Sequence, residues 1–396
     1  MATYSFREAR QCVAEQVARA RRPQAETVAL EAAAERILAE QVAADRDCPP
    51  VARSVRDGFA VRAADLPGSL EIIGEAPAGA TFDGVVGPGQ AVEIMTGAPV
   101  PEGADAIVMV EHTSREGNRV TTGNAPRPGE FINPRAAEAR RGDLLLGCGR
   151  RLGFPEIALL AGLGKTQVQV FRKPRVAILS TGDEVVPITE QPRDNQVRNS
   201  NAWSLAVQVE RAGGLPEILP VAPDRHEETR QLIERGLGSD LLLVSGGVSA
   251  GKYDLVERVL AELGAEFYFD RVLIQPGQPL VFGRAREVFF FGLPGNPAST
   301  MVTFELFARA AVELLAGQSQ SVLPMPLARL TTAFRHKTGL TRFLPACLSA
   351  DGTELTPVAW QGSGDMPALA RANAFLVADA DRESWQPGDL MQVLLR

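Results

Sequence analysis

Three glycine-containing loops, each following a short apolar run, are where this sequence is best equipped for chemistry. They read STGDE at 180–184, SGGVSAGKYD at 245–254 and LPGNPAST at 293–300. Bare glycine backbone lets N–H groups approach a phosphate closely, and serine hydroxyls beside it can bind further oxygens. The loops therefore indicate an anion-binding site, although glycine after a strand is also ordinary turn chemistry.

Acidic side chains recur beside these loops at Asp183, Glu184, Asp224 and Asp254. Carboxylates next to a phosphate-binding loop would repel an anionic ligand unless a divalent cation bridges the two, so we expect Mg²⁺. Asp224 and Asp254 also have a structural alternative, because each precedes a glutamate by three residues, as in a helix capping box.

Three further polar positions in the same region have two interpretations each. Lys252 lies inside the second loop, where it could bind an oxyanion or remain solvated. Asn296 followed by Pro297 fits the start of a helix, and Ser299 then falls in the first turn, where free N–H groups favour an anion. Asn201 repeats this pattern at another helix start.

The apolar runs at 176–179, 241–244 and 288–291 must position these loops. They are too short for buried helices and predict buried strands, each followed by a helical pattern. The alternation from 173 to about 320 predicts βαβ units and a mostly parallel sheet. If the three strands are parallel neighbours, their loops open at one edge, where ligands bind in such sheets.

Two other motifs lie nearer the amino terminus. SVRDGFAVR at 54–62 places Asp57 and Gly58 between β-like runs, which is also the pattern of a hairpin turn. IMTGAPVPEG at 94–103 places Thr96 after a β-like run in a Gly/Pro loop, where a turn is again the structural alternative.

Length and composition limit the class of protein. A chain of 396 residues suggests two to four domains, and a net charge of −7 argues against a nucleic-acid surface. No stretch reaches the roughly 20 apolar residues that a membrane span needs. Four widely spaced cysteines without a C-x-x-C pair favour reduced thiols and a cytoplasmic location.

The distribution of helix-like and strand-like segments along the chain predicts four domains. Helical sequence near the amino terminus, including a helix over 31–39, gives way to short β-like runs and returns after them. We predict a discontinuous first domain at 1–50 and 139–172, an inserted β domain at 51–138, an α/β domain at 173–325 and a C-terminal β domain at 326–396.

Taken together, the motifs resemble the molybdopterin molybdenumtransferase family, which includes MoeA and the gephyrin E domain. The resemblance rests on the loops above and on RDGFAV, IMTGAPVPEGADAIV, QPGQPLVFG and QGSGDMPALARANAF. It implies a multidomain α/β plus β protein whose central, mostly parallel three-layer α/β domain is similar to molybdopterin adenylyltransferase.

The resemblance also implies a reaction and a set of site residues. Such enzymes insert molybdate into adenylylated molybdopterin and release AMP in a Mg²⁺-dependent step. The implied catalytic residues are Asp57, Thr96, Glu184, Asp224 and Asp254, of which the last three would hold the metal. The implied substrate-binding residues are Ser180, Gly182, Asp183, Asn201, Ser245, Gly246, Gly247, Val248, Ser249, Gly251, Lys252, Pro294, Gly295, Asn296, Pro297 and Ser299.

Membership would further imply a homodimer with a site shared between subunits, so that Asp57 and Thr96 face the α/β domain of the partner. Molybdopterin adenylyltransferase and apo-molybdoenzymes are the further partners expected. The chain departs from the family pattern where lysines are common, with Gln275 and Gln278 in their place. Arg271, Arg284 or Lys252 would have to compensate.

Two alternative functions remain open from the sequence. Molybdopterin adenylyltransferases share the SGGxS-type loop, but they resemble the α/β domain alone, whereas RDGFAV and IMTGAPVP belong to the longer family. A non-catalytic scaffold that binds pterin or peptide is the second alternative, since the gephyrin E domain binds receptor peptides. Stable peptide binding without turnover would favour it.

Overall fold

The computed structural model describes residues 3–20, 23–247 and 255–396. The chain forms two compact units, one of Met1–Ala39, Cys148–Ile157 and Thr166–Arg396, the other of Glu40–Gly147 and Ala158–Lys165. Each unit has hydrophobic clusters of its own. The four-domain division stays a prediction.

A seven-stranded sheet forms the centre of the larger unit. Its strands are β1 (Thr3–Tyr4), β2 (Arg175–Ser180), β3 (Leu215–Ile218), β4 (Leu241–Ser245), β5 (Glu266–Val272), β6 (Pro279–Ala285) and β7 (Val288–Leu293). Their order is β1-β5-β6-β7-β4-β2-β3. Every pairing is parallel except those of β6 with its two neighbours. The predicted mostly parallel sheet is confirmed.

Eight α-helices occur in the described part of the chain, and none of them is long and apolar enough to cross a membrane. They are α1 (Phe6–Ala18), α2 (Phe154–Gly162), α3 (Ser200–Arg211), α4 (His226–Gly236), α5 (Leu255–Glu262), α6 (Pro297–Thr303), α7 (Arg309–Leu315) and α8 (Met366–Arg371). A π-helical segment, Phe304–Ala308, joins α6 to α7.

The central strands are buried on both faces, because their side chains alternate between two helical layers. In β2, Val176 and Ile178 pack in one cluster with residues of α1, α3, α6 and α7. Ala177 and Leu179 point the other way, into a cluster with α4 and α5. The result is the expected three-layer α/β domain.

The register of the three central strands places their last residues at one level. Ser180 is paired with Ser245, and Ser245 is paired in turn with Leu293. Because β2, β4 and β7 run in the same direction, the loops that follow them leave the sheet at one edge. This edge holds the candidate site.

The rest of the larger unit contains a six-stranded sheet and three strand pairs. The sheet has the order Ile274–Gln275, Thr341–Leu348, Glu354–Pro357, Leu327–Leu330, Leu390–Leu395 and Ala374–Ala378. The pairs are Phe334–Arg335 with Ser384–Trp385, Ala25–Ala29 with Gln167–Phe171, and Val185–Val186 with Val197–Arg198.

The smaller unit is built on another six-stranded sheet. Its order is Ala106–Met109, Gly58–Val61, Gln90–Ile94, Gly68–Ala76, Arg119–Thr122 and Ser114–Glu116. Two pairs flank it, Arg53–Ser54 with Ile132–Asn133 and Val42–Ala43 with Leu144–Leu146.

The hairpin alternative for Asp57 and Gly58 is wrong. Arg53–Ser54 pairs with Ile132–Asn133, whereas Gly58–Val61 pairs with two other strands. Gly58 is needed for a different reason, since a Cβ there would meet the carbonyl oxygen of Val108 at 1.9 Å. The glycine permits close approach of two backbones.

The helix predicted over 31–39 is also wrong, because only a short 3₁₀ turn, Leu30–Ala32, forms there. The following backbone bonds to distant chain instead: the N–H of Leu38 donates to Arg150 O at 2.9 Å and that of Ala39 to Gln169 O at 2.9 Å. Non-local pairing overrides the helical propensity of an alanine-rich segment.

Leu243→Ala in β4 should destabilise the α/β domain strongly. Leu243 is fully buried, so truncation leaves a cavity and should lower the free energy of unfolding by about 3 kcal/mol. Leu215→Ala on edge strand β3 is the control: Leu215 is 49% exposed, and its truncation should cost less than about 0.5 kcal/mol. Urea midpoints measure both, and equal shifts would contradict the assigned core.

Candidate functional site

A pocket of about 830 Å³ lies at the carboxyl ends of β2, β4 and β7. Of the predicted site residues that the structure describes, ten line it: Ser180, Glu184, Asn201, Ser245, Gly246, Gly247, Pro294, Gly295, Asn296 and Pro297. All three predicted loops therefore contribute to one cavity.

Backbone hydrogen bonds tie the three loops together at the pocket floor. The N–H of Thr181 donates to Ser245 O at 3.1 Å, and that of Gly246 donates to Leu293 O at 3.1 Å. Gly246 and Gly247 have φ of +87° and +65°, and a Cβ at Gly246 would lie 3.0 Å from the carbonyl oxygen of Thr181. The tight turn after β4 thus requires glycine.

Asn201, in the first turn of α3, links two of these loops. Its Nδ2 donates to Ser245 Oγ at 2.8 Å and to Gly295 O at 2.7 Å. Because a carbonyl oxygen can only accept, the contact with Gly295 fixes which end of the amide is nitrogen. A residue predicted to bind substrate is therefore also a brace between the second and third loops.

The cap of α3 is Asn199, two residues before Asn201, where the sequence pattern placed the helix start. Its Oδ1 accepts from Ala202 N at 3.2 Å and from the hydroxyl of Ser180 at 2.9 Å. Asn199 is buried and lines the pocket, and the sequence analysis missed it. The signal that could have identified it is the Asn-Ser pair directly before the helical pattern.

The third loop leads into α6 as predicted, with Asn296 at the cap position and Pro297 at the first helical position. The Asn296 side chain makes no cap bond, however, and its Nδ2 donates instead to Ser363 Oγ at 2.9 Å. Ser299 is buried in α6 and does not line the pocket.

A segment from the C-terminal part of the chain completes the rim of the pocket through Gly364 and Met366. Asp365 between them caps α8, accepting from Ala368 N at 3.0 Å and from Gln361 N at 3.0 Å. These two backbone donors lower the pKa of Asp365. The sequence analysis noted the QGSGD motif but predicted no site residue in it.

Among the described residues, Glu184 is the acidic one that lines the pocket. Its carboxylate folds over Gly182, where a Cβ would lie 2.4 Å from Glu184 Oε2. Gly182 has φ of +124°, so a side chain is excluded there by backbone conformation as well. Gly182 itself does not line the pocket and acts by leaving space for the carboxylate.

Asp183 and Asp224 do not line the pocket, and each contacts the other's backbone. The N–H of Asp224 donates to Asp183 Oδ1 at 3.2 Å, and that of Asp183 reaches Asp224 Oδ2 at 3.5 Å. The capping alternative for Asp224 is wrong, because Arg225 occupies the cap position of α4 and no side chain caps that helix.

Five predicted residues, Val248, Ser249, Gly251, Lys252 and Asp254, lie outside the described residues. Within the described ranges, no group of three or more His, Cys, Asp or Glu side chains is placed to hold a metal ion. The carboxylate of Glu184 is an oxygen ligand of the kind that Mg²⁺ prefers. The predicted metal set depends on Asp254, so it stays a prediction.

Arg198 is the positively charged residue among those that line the described part of the pocket. Neither Arg271 nor Arg284 lines it, and the Arg284 guanidinium is paired with Glu287. Arg198 was not among the predicted site residues, and neither were the other lining residues Thr181, Val185, Pro192, Val197, Asn199, Ser200, Pro279, Gly364 and Met366.

Asp57 and Thr96 contact each other in the smaller unit, although they belong to separate sequence motifs. The backbone N–H of Thr96 donates to Asp57 Oδ1 at 2.6 Å, and its hydroxyl donates to the same oxygen at 2.8 Å. These two donors lower the pKa of Asp57, the backbone N–H being the larger cause. Both residues are exposed, so the carboxylate is held in place while open to solvent.

Comparison with known proteins identifies the family. Residues 4–164 match the "MoeA N-terminal region (domain I and II)", 177–314 the "probable molybdopterin binding domain" and 327–395 the "MoeA C-terminal region (domain IV)". The "molybdopterin molybdenumtransferase" of Bacillus subtilis is 36% identical over 386 residues, covering 93% of this chain and 89% of that protein. The chain belongs to the MoeA family.

Other members support this assignment. A Nostoc protein, also called "molybdopterin molybdenumtransferase", is 39% identical over 76% of this chain and 71% of its own length. A solved structure of a molybdopterin biosynthesis MoeA protein from Pyrococcus horikoshii covers 100% of both chains with a TM-score of 0.81 and 26% identity. A second from that organism has a TM-score of 0.74 and 31% identity, covering 100% of this chain and 99% of its own. The predicted family and fold class are confirmed.

The stabilisation that the Asp57–Thr96 contact provides should depend on pH. Hydrogen bonding lowers the folded-state pKa of Asp57. The stabilisation that the contact provides is therefore fully present above the ordinary aspartate pKa of about 3.9 and is lost as pH falls through the lower folded value. Thr96→Val removes the hydroxyl but keeps the backbone donor, so it should raise the pKa only part of the way.

NMR titration of ¹³C-labelled aspartate carboxyl groups measures this. Thr113→Val is the matched control, because the Thr113 hydroxyl donates to Val110 O and does not contact Asp57. An Asp57 pKa at or above the ordinary value in the wild type, or an equal shift in both variants, would contradict the assigned contact.

Proposed function

We propose that the pocket binds adenylylated molybdopterin and that the chain inserts molybdate into it, releasing AMP. The observation that carries the proposal is the pocket itself, formed by three strand-end loops within residues 177–314, the segment matched as a probable molybdopterin binding domain. Relatives named molybdopterin molybdenumtransferase, which match most of the chain, support molybdenum cofactor biosynthesis as the pathway.

The chemistry of the lining suits such a substrate. The proposed substrate carries a pyrophosphate, and the glycine turn after β4 exposes backbone that can approach it closely. The hydroxyls of Ser180 and Ser245, held by Asn199 and Asn201, add fixed polar groups to the floor. We propose that these groups orient the substrate while its phosphoanhydride bond is cleaved and AMP leaves.

We further propose that Glu184, Asp224 and Asp254 hold Mg²⁺. A bound Mg²⁺ would neutralise charge on the phosphate oxygens as AMP departs. Glu184 is suited to this role because it faces the pocket and its carboxylate is confined over Gly182.

The site is proposed to be completed in a homodimer, with Asp57 and Thr96 of one subunit facing the α/β domain of the partner. Molybdopterin adenylyltransferase as donor of the substrate and apo-molybdoenzymes as acceptors of the product are the further proposed partners. The four cysteines are free thiols, which fits the proposed cytoplasmic location.

Turnover of purified adenylylated molybdopterin tests the function. With Mg²⁺ and micromolar molybdate the wild type should release AMP, and EDTA should abolish the release. Glu184→Gln should lower the rate at least about tenfold, since it removes a proposed metal ligand. Glu190→Gln is the control, because Glu190 carries the same charge just after the neighbouring strand Val185–Val186 but does not line the pocket.

Release that is independent of molybdate, or equal in both variants, would contradict the proposed reaction. Absence of any release by the wild type, with retained binding of the substrate, would favour a pterin-binding scaffold instead.

Mixing two impaired variants tests the shared site. If Asp57 acts in the partner's site, a mixed dimer of Asp57→Ala and Glu184→Gln has one intact site of two. Random exchange of equal amounts should then restore about a quarter of wild-type activity. Activity that remains at the level of the separate variants, in dimers shown by mass spectrometry to have exchanged, would contradict a site shared between subunits.

A further inference from the structure

The charge on the described lining of the pocket is carried by one acid and one base, Glu184 and Arg198. An anionic ligand in this pocket would be repelled by the first and attracted by the second. The remaining described lining residues are uncharged, so Arg198 is the natural partner for a phosphate group among them.

The backbone holds Arg198 at a defined place on the pocket wall. Val197–Arg198 pairs in parallel with Val185–Val186, which directly follows Glu184. The N–H of Val197 donates to Glu184 O at 2.8 Å. Asn199, the buried cap of α3, follows Arg198 directly and anchors the other side. The acid therefore directly precedes this small ladder, and the base lies in its last residue pair.

Two neutral acceptors orient the guanidinium group of Arg198. Its Nε donates to Glu190 O at 2.9 Å and its Nη2 donates to Gln191 Oε1 at 3.0 Å. Neither acceptor neutralises the positive charge, and no carboxylate lies within ion-pair distance of Arg198 in the ranges that the structure describes. The guanidinium group is thus held in position, and no carboxylate of the described residues neutralises its positive charge.

The orientation leaves one edge of the guanidinium for a ligand. The Nε side faces the loop, and within the described residues no hydrogen bond is made by Nη1. A guanidinium edge with two parallel N–H groups matches two oxygens of one phosphate, which lysine or glutamine cannot reproduce.

We propose that Arg198 is a positioning residue that binds a phosphate oxygen of the substrate. The choice of an adenylylated substrate as ligand rests on the proposed function; the anion site itself rests on the pocket and its charge. Arg198 would align the phosphate against the glycine turn without taking part in bond breaking. A purely structural role, in which Arg198 only holds residues 190–191, is the competing explanation.

Nucleotide binding to the full chain separates these two roles. Calorimetric titrations with AMP and with uncharged adenosine measure the two affinities. Arg198→Gln should weaken the binding of AMP about 10- to 100-fold and leave the binding of adenosine nearly unchanged. Arg198→Lys should recover part of the lost AMP affinity, because it restores the positive charge but not the two parallel N–H groups of the guanidinium. Arg193→Gln is the matched control, with the same charge change in the loop that leads into Val197–Arg198, at a residue that does not line the pocket.

Gln191→Ala isolates the structural contribution, since it removes one support of the guanidinium and no charge. It should weaken AMP only slightly. Equal losses of AMP affinity in Arg198→Gln and Arg193→Gln, or equal losses of AMP and adenosine in Arg198→Gln, would overturn the proposal. A loss in Gln191→Ala as large as in Arg198→Gln would do the same.

Steady-state kinetics add a second readout. A positioning role predicts that Arg198→Gln raises KM for adenylylated molybdopterin more than it lowers kcat. The two proposals fail separately. If the wild type shows no molybdate-dependent AMP release but Arg198→Gln still weakens AMP selectively, the proposed function falls and the anion site stands. If the wild type shows turnover but Arg198→Gln binds AMP as tightly as the wild type, the proposed function stands and the anion site falls.

Discussion

The structure of the site depends on the parallel register of three strands. Because β2, β4 and β7 end level, at Ser180, Ser245 and Leu293, the loops after them must turn away at one edge of the sheet. A shift of one residue in β4 would exchange its two buried faces and withdraw the glycine turn from the edge. The buried aliphatic strands therefore fix the position of the polar loops.

The loops are held by polar contacts that leave little freedom at the pocket floor. Asn199 and Asn201, two residues apart at the start of α3, reach the loops after all three strands. This arrangement turns a helix start into a brace, so the hydroxyls and glycine backbone are oriented before a ligand arrives. Preorganisation of this kind reduces the free-energy cost of ordering groups on binding.

The sequence was sufficient where local pattern and packing agree. Short apolar runs identified the central strands, and glycine after each run identified the loops, because buried parallel strands must end in turns near the sheet edge. It was insufficient where distant chain decides the outcome. Residues 31–39 pair with remote strands in place of a helix, and Arg198 reaches the pocket only because a short ladder joins Val197 to Val185. The contact in which Thr96 donates two hydrogen bonds to Asp57 is likewise non-local.

The pocket at the ends of β2, β4 and β7 is proposed to bind the nucleotide part of the substrate. A crystal structure of the protein with AMP tests it most directly. We expect electron density for the phosphate against the glycine turn at Gly246 and within reach of Arg198. Well-defined AMP bound elsewhere, with this pocket empty at saturating concentration, would contradict it.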